Sequence, residues 1–302
     1  MVRSDVYKQR LLDFIYYTYN LKAVDIIPSK RGFYGETWRL ETKDNRYFLK
    51  LVYAPEHKYI YERSFPVIQY LCSHGIDFIS SIIKTTNEGL SSQFDDAILG
   101  IFNWIDGELI ETDATKSPEY QMLAKVYSIP TNGIIFPHED FSEKFAVKFF
   151  SQWKALKDNA TILLLEKNHI KIKHRADRLK HFANLLTGDT TNYFITHGDA
   201  GGNLIKNGDK YHIVDWDNSL LAPPERDAWV MCCRDWAMDT FHESLYSNNI
   251  KYTLQKERLA YYCYQFFFYY LTAFLYASAP VDVIEDYING WIEDSFAYAD
   301  TI

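Results

Sequence analysis

The sequence is short of the residues from which most metal and redox centres are built. Four cysteines, at 72, 232, 233 and 263, show no Cys-x-x-Cys spacing. That spacing argues against a zinc site and a dithiol redox motif. The opening Met1-Val2-Arg3-Ser4-Asp5 has no secretory apolar core, so a reducing, cytoplasmic setting is expected. Basic residues are outnumbered: Lys and Arg total 32 against 40 Asp and Glu, a net charge of −8. Such a balance repels phosphate backbones and anionic membrane surfaces, so neither nucleic acid nor membrane is expected as a partner, whereas a cationic small molecule is. Internal repeats, low-complexity tracts and Pro/Gly/Ser linkers are missing as well.

One stretch lacks charge altogether. The 23 residues from Leu259 to Val281 are long enough to cross a bilayer. Six tyrosines (261, 262, 264, 269, 270 and 276) and Gln265 are spread through it instead of gathering at its ends, and no basic residue follows. A largely buried helix of a globular protein is the expectation.

The chain changes texture along its length. Residues 5–19 carry a helical apolar pattern with Ser4 or Asp5 as cap. Short strands are expected at Ala23–Ile27, Thr37–Glu41 and Arg46–Val52, then a helical region over 56–73 interrupted or kinked at Pro66, then strand-like runs at 78–83 and 97–102. Beyond residue 105 the pattern turns helical, over 118–127, 143–156, 160–186, 226–237, 254–277 and 281–298. The fold class expected is α+β: a small antiparallel β lobe over residues 1–104 and a larger, mainly helical lobe over 105–302. A cleft between two such lobes is the default place for a nucleotide.

The densest chemistry lies in Ile195–Asp227. Asn207-Gly208 signals a tight hairpin between Leu204-Ile205 and Tyr211–Val214. Pairing then brings Asn203 close to Val214-Asp215, and one cation can touch both. Asp199 precedes Asn203 by four residues in the Gly-rich loop His197–Gly202. His197 reads as a buried, loop-orienting histidine, because no second histidine stands at ligand spacing. Asp217, two residues after Asp215, reads equally as a second metal ligand or as a solvating residue. Asp227, in Pro223-Pro224-Glu225-Arg226-Asp227, reads as a helix-start carboxylate. Upstream, Lys50 on an apolar strand is a candidate phosphate contact that needs a carboxylate to hold it, and Glu62 is the candidate. The loop 30–35, with Gly32 and Gly35, matches no phosphate-loop signature and reads equally as a hairpin turn.

Taken in order, Lys50, Glu62, the segment Phe102-Asn103-Trp104-Ile105-Asp106-Gly107-Glu108, the helix around Leu123–Tyr127, His197-Gly198-Asp199…Asn203 and Val214-Asp215-Trp216-Asp217 resemble the aminoglycoside phosphotransferases. Asp-Trp-Asp followed by Leu221–Asp227 is most similar to the spectinomycin phosphotransferase branch. The resemblance implies a protein-kinase-like bilobal fold and an ATP- and Mg2+-dependent enzyme. It implies Asp199 as catalytic base, Asn203 and Asp215 as magnesium ligands, Lys50 on the α- and β-phosphates with Glu62 holding it, and backbone groups of Phe102, Asn103, Trp104 and Ile105 around the adenine. The family spaces its metal-binding asparagine five residues after the aspartate; here the spacing is four. The acceptor expected is a hydroxyl of a small, cationic molecule such as an aminoglycoside or aminocyclitol antibiotic. The alternatives are a kinase of a metabolite (choline, a sugar or an amino-alcohol) and a nucleotide-binding relative without catalysis. A monomer or homodimer is expected. From Leu259 to Ile302 six acids and no Lys or Arg suit a cationic acceptor, and suit a solvated helix face equally.

Overall fold

The structure, a computed structural model, describes residues 3–29, 35–189, 191–290 and 292–302. The loop 30–35 seen in the sequence therefore lies almost wholly outside the described residues. In chain order the elements are helix α1 (Asp5–Tyr19), strands β1 (Ala23–Pro28), β2 (Gly35–Thr42) and β3 (Arg46–Val52), helix α2 (Pro55–Ser73), strands β4 (Ser92–Phe94), β5 (Ala97–Asn103) and β6 (Glu108–Leu109), and helix α3 (Lys116–Tyr127). Next come helices α4 (Lys144–Ala155), α5 (Asn159–Lys167) and α6 (His169–Leu185), and strands β7 (Phe194–Thr196), β8 (Leu204–Asn207), β9 (Lys210–Ile213) and β10 (Leu220–Ala222). Helices α7 (Glu225–Ala228), α8 (Asp235–Ser247), α9 (Lys256–Tyr276), α10 (Val281–Asn289) and α11 (Glu293–Asp300) complete the chain. The fold class is α+β. Two compact units result: residues 1–136 with 197–219, and residues 137–196 with 220–302.

The first unit is built on an antiparallel sheet ordered β1-β2-β3-β5-β4. Leu49 and Leu51 of β3 are fully buried against α1, whose Leu11, Ile15 and Tyr19 complete that core with Trp38, Leu40, Leu99 and Ile101. Each such leucine contributes roughly 1.5–3 kcal/mol relative to exposure. Strand alternation then sends Lys50 to the opposite face, where α2 lies. Ser4 caps α1, its Oγ accepting from the Tyr7 N–H at 3.2 Å, as the sequence implied. Pro66 is accommodated within one continuous α2 instead of splitting it. Residues 78–83 form no strand; they meet β5 through a bridge between Ile82 and Phe102.

The same unit contains a second small sheet, β6-β8-β9. Asn207 pairs with Lys210, so the two-residue turn is Gly208-Asp209, with Gly208 at φ 58°. Positive φ at the first central position is the type II′ requirement, which corrects the expected Asn207-Gly208 turn by one residue.

The second unit is organised around α9, whose residues from Arg258 to Phe268 are all buried. The uncharged stretch is thus a core helix. Among the described residues no helix is long and apolar enough to cross a membrane. The expected helix over 160–186 is divided between α5 and α6 at Asn168, and 226–237 is a short α7 followed by turns before α8. Strands β7 and β10 pair antiparallel, and Glu225 of α7 accepts hydrogen bonds from Tyr252, the Gln255 N–H and Arg258.

Candidate active site

Lys50 sits mid-strand on β3, opposite Gly100 of β5. Glycine is required there: a Cβ at 100 would lie 2.6 Å from the Tyr61 hydroxyl and 2.7 Å from Cζ of Phe65. Its absence lets α2 lie close on the sheet, where Tyr61 donates its hydroxyl to the Lys50 carbonyl at 3.2 Å. The Lys50 ammonium lies 5.5 Å from the centre of the Tyr61 ring.

That ammonium is held by two carboxylates: Nζ is 2.9 Å from Asp215 Oδ1 and 2.5 Å from Asp217 Oδ2. Glu62 is not among its partners. Residues 61, 64, 65 and 68 form the face of α2 that is buried, and Glu62, one step of about 100° round the helix from Tyr61, belongs to the exposed stripe with Pro66 and Gln69. The expected Lys50–Glu62 pair is therefore replaced by Lys50 with Asp215 and Asp217. Lys50 is pushed down by burial but raised on balance by the two carboxylates, so it stays charged. Burial pushes the Asp215 carboxyl up; the Lys50 charge and hydrogen bond outweigh that and bring it below the usual range. For Asp217, burial and the Asp215 charge win over Lys50 and leave it at about 6.

Asp215 and Asp217 reach one lysine by a route that strand alternation does not describe. Asp215 adopts a left-handed backbone (φ 63°, ψ 57°), and Trp216–Asn218 form a 3-10 turn. A non-glycine residue in that region is uncommon. The anchor is Trp216, buried, with its indole N–H donating to the Ile213 carbonyl at 2.9 Å.

Asn203 arrives beside Asp215 as the hairpin predicted. Leu204 pairs with Ile213, and the Val214 N–H donates to the Asn203 carbonyl at 3.0 Å. The Asn203 amide nitrogen donates to the Asp199 carbonyl at 2.7 Å, so Oδ1 is the atom of that side chain that could meet a cation. His197 is fully buried; Nε2 meets the Val214 carbonyl at 2.9 Å and Nδ1 accepts from the Asp199 N–H at 3.1 Å. Those partners define the neutral Nε2–H tautomer, a histidine that ties the Asp199 loop to the hairpin.

Asn203, Asp215 and Asp217 are the oxygen donors that a hard cation would require here. Among the described residues no group of three or more His, Cys, Asp or Glu side chains is arranged to hold a metal. Magnesium does not require one: it is usually bound by one or two carboxylates, substrate phosphates and water. The Lys50 ammonium already demonstrates that a cation is welcome between the two aspartates.

The segment expected to meet adenine is more heavily engaged than anticipated. Phe102 is paired with Phe48 on one edge and Ile82 on the other. Asn103 donates its N–H to the Ser81 carbonyl at 2.9 Å and accepts from Ser80 Oγ, and the Trp104 N–H donates to the Arg46 carbonyl at 3.3 Å. Among the described residues no backbone bond engages the Ile105 N–H.

Residues 25–262 match the model of the phosphotransferase enzyme family. The chain belongs to that family. No curated protein matches the sequence. Among solved structures, a spectinomycin phosphotransferase in complex with ADP and spectinomycin superposes with a TM-score of 0.71 at 19% identity, over 97% of this chain and 93% of its own. A choline kinase from Cryptosporidium parvum gives 0.60 at 11%, over 97% and 96%. An amicoumacin kinase in complex with AMP-PNP and Ca2+ gives 0.63 at 12%, over 97% and 93%. At these identities the likeness is one of fold.

Sequence reasoning had Asp217 only as an even alternative and missed Tyr61 and Gly100. The Asp-x-Asp spacing was the available signal for the first. The other two are visible only once α2 is laid on the sheet.

Proposed function

We propose that this phosphotransferase is a small-molecule kinase that moves the γ-phosphate of ATP to a hydroxyl group. The observation that carries the reading is the convergence of Lys50, Asp215 and Asp217, with Asn203 joined to Val214 next door. In this reading Lys50 leaves its aspartates to meet the α- and β-phosphates. Asn203 and Asp215 would hold Mg2+, which when bound would supply positive charge against the phosphates. Asp199 accepts or orients the acceptor hydroxyl proton, and Trp104 with Ile105 meets the base. Phosphoryl transfer asks the protein for positioning and charge stabilisation above all, and this residue set supplies both. The division into a nucleotide lobe (1–104) and an acceptor lobe (105–302), and a cytoplasmic location with access to ATP, belong to the same proposal.

For the acceptor we favour an aminocyclitol or aminoglycoside antibiotic, supported by the Asp-Trp-Asp signature and by the spectinomycin phosphotransferase among the structural relatives. A metabolite acceptor is the second reading, and one observation favours it. Three of the six C-terminal acids are already paired: Glu285 with Lys167, Asp294 with Arg234 and Asp300 with His174. The acidic surplus is thus partly structural, which weakens the argument for a polycationic acceptor.

The test is Mg2+-dependent ADP release from ATP across a panel of spectinomycin, other aminoglycosides, choline and simple sugars. Asp199→Ala serves as the blank, and losing its general base should lower turnover by about 10²–10⁴-fold. Turnover that survives Asp199→Ala unchanged would sink the assignment; stimulation by choline alone would move the acceptor to the second reading.

A further inference from the structure

The first turn of α3 holds a buried ion pair that the scheme above leaves unused. Lys116 and Glu119 are 3% and 2% exposed, with Nζ 2.9 Å from Oε2. Lysine is disfavoured here twice over: its ammonium is desolvated, and it lies at the positive end of a helix dipole. A residue placed at such cost points to a task beyond packing.

Its surroundings show what the task is. The strand that leads into α3 is laid along the catalytic hairpin: Glu108 pairs with Lys206, Leu109 with Ile205, and the Ile110 N–H donates to the Leu204 carbonyl at 2.9 Å. Glu111, the next residue, is thereby delivered to the loop that precedes Leu204. A Cβ on Gly201 would lie 2.9 Å from Lys116 Nζ and 3.3 Å from Glu111 Oε1. Ammonium and carboxylate thus close over the middle of the three residues that separate Asp199 from Asn203. At the end of the loop the Asn203 N–H donates to the Ala200 carbonyl at 3.0 Å and its side chain donates to the Asp199 carbonyl. A side chain at 201 would have to displace the Lys116 ammonium from its place against the loop.

We propose that Lys116, held in place by Glu119, is a positioning residue for the Asp199–Asn203 loop. Its ammonium seats against Gly201, and that contact fixes the direction in which Asn203 presents Oδ1 to the cation of a nucleotide complex. The inference rests on the kinase reading and concerns metal affinity more than folding.

The experiment measures Mn2+ binding in the presence of ADP by electron paramagnetic resonance, beside metal-free ADP binding and thermal unfolding. The variants are Lys116→Met/Glu119→Leu, Gly201→Ala and their combination. Replacing both charges by apolar side chains avoids stranding Glu119 and keeps the helix packed. Each is expected to lower Mn2+ affinity by about tenfold, as loss of an outer support of a metal ligand does, with metal-free ADP affinity unchanged. The combination is expected to lose less than the sum, because both act through one loop. Should the double variant fail to fold, Gly201→Ala, which keeps the pair, decides alone. Unchanged Mn2+ affinity in the folded variants overturns the proposal. Asn203→Ala is the control for the reading beneath it: if wild type binds no Mn2+–ADP, or Asn203→Ala binds it undiminished, the kinase reading fails and takes this inference with it.

Discussion

At the residue scale the site is governed by one cation shared between two carboxylates. Without Lys50, Asp215 and Asp217 face each other with no counter-charge, so Lys50→Met is expected to lower kcat/KM for ATP by about 10²–10³-fold, the range for losing one preorganised electrostatic contact. Retention of kcat/KM in that variant would separate Lys50 from the phosphates. Asp217 makes a second prediction. Burial, opposed by Lys50 and reinforced by Asp215, leaves its carboxyl at about 6, above the ordinary 3.8. The native state therefore binds this proton more tightly than the unfolded chain does. Its contribution to stability is complete below the unfolded value and is lost as pH rises through about 6. The Tm difference between wild type and Asp217→Asn should move against wild type as pH rises between about pH 4 and 7. A difference that stays flat across that window would mean that Asp217 does not titrate there.

At the element scale two close approaches decide the geometry. Helix α2 sits on β5 because Gly100 has no side chain, and Tyr61 reaches the Lys50 carbonyl only from that distance. Gly100→Ala forces Tyr61 and Phe65 outward and should cost about 1–3 kcal/mol, measured by denaturant unfolding, with weaker ATP binding as its second effect. In the other unit, Arg258 of α9 bonds Glu225 of α7 at 3.1 Å and Asp189 beyond α6 at 2.7 Å. Glu225 is fully buried, so Arg258→Leu strands its charge and should destabilise by about 3–5 kcal/mol, a loss that added salt does not mask. A Tm insensitive to this change would show that the network contributes nothing net.

At the scale of the whole molecule the candidate site joins residues far apart in the chain: Lys50 with Asp215 and Asp217. A ligand that binds only when these are assembled must stabilise the folded state. ADP with Mg2+ at a hundred times its Kd should add about 2.7 kcal/mol, read as a rise in Tm that EDTA removes. The four cysteines are all free thiols, so reductant should leave the transition unmoved.

The sequence by itself determined the parts whose signals are local. Alternation in Arg46–Val52 gave a strand with Lys50 on the face away from Leu49 and Leu51. A turn near Asn207-Gly208 brought Asn203 next to Val214, since hairpin register follows from the turn to within a residue. The ordered motif set was enough for membership of the phosphotransferase family, and 23 uncharged residues rich in tyrosine were legible as a buried helix. Tertiary structure alone decided which carboxylates hold Lys50, because Glu62 is excluded by its angle on α2, and that angle depends on which stripe packs against the sheet. It alone turned Asp215 into the left-handed region and set Lys116 against Gly201. Each of these depends on the distance between segments remote in sequence, and a pattern of neighbours along a chain contains no such distance until the chain has packed.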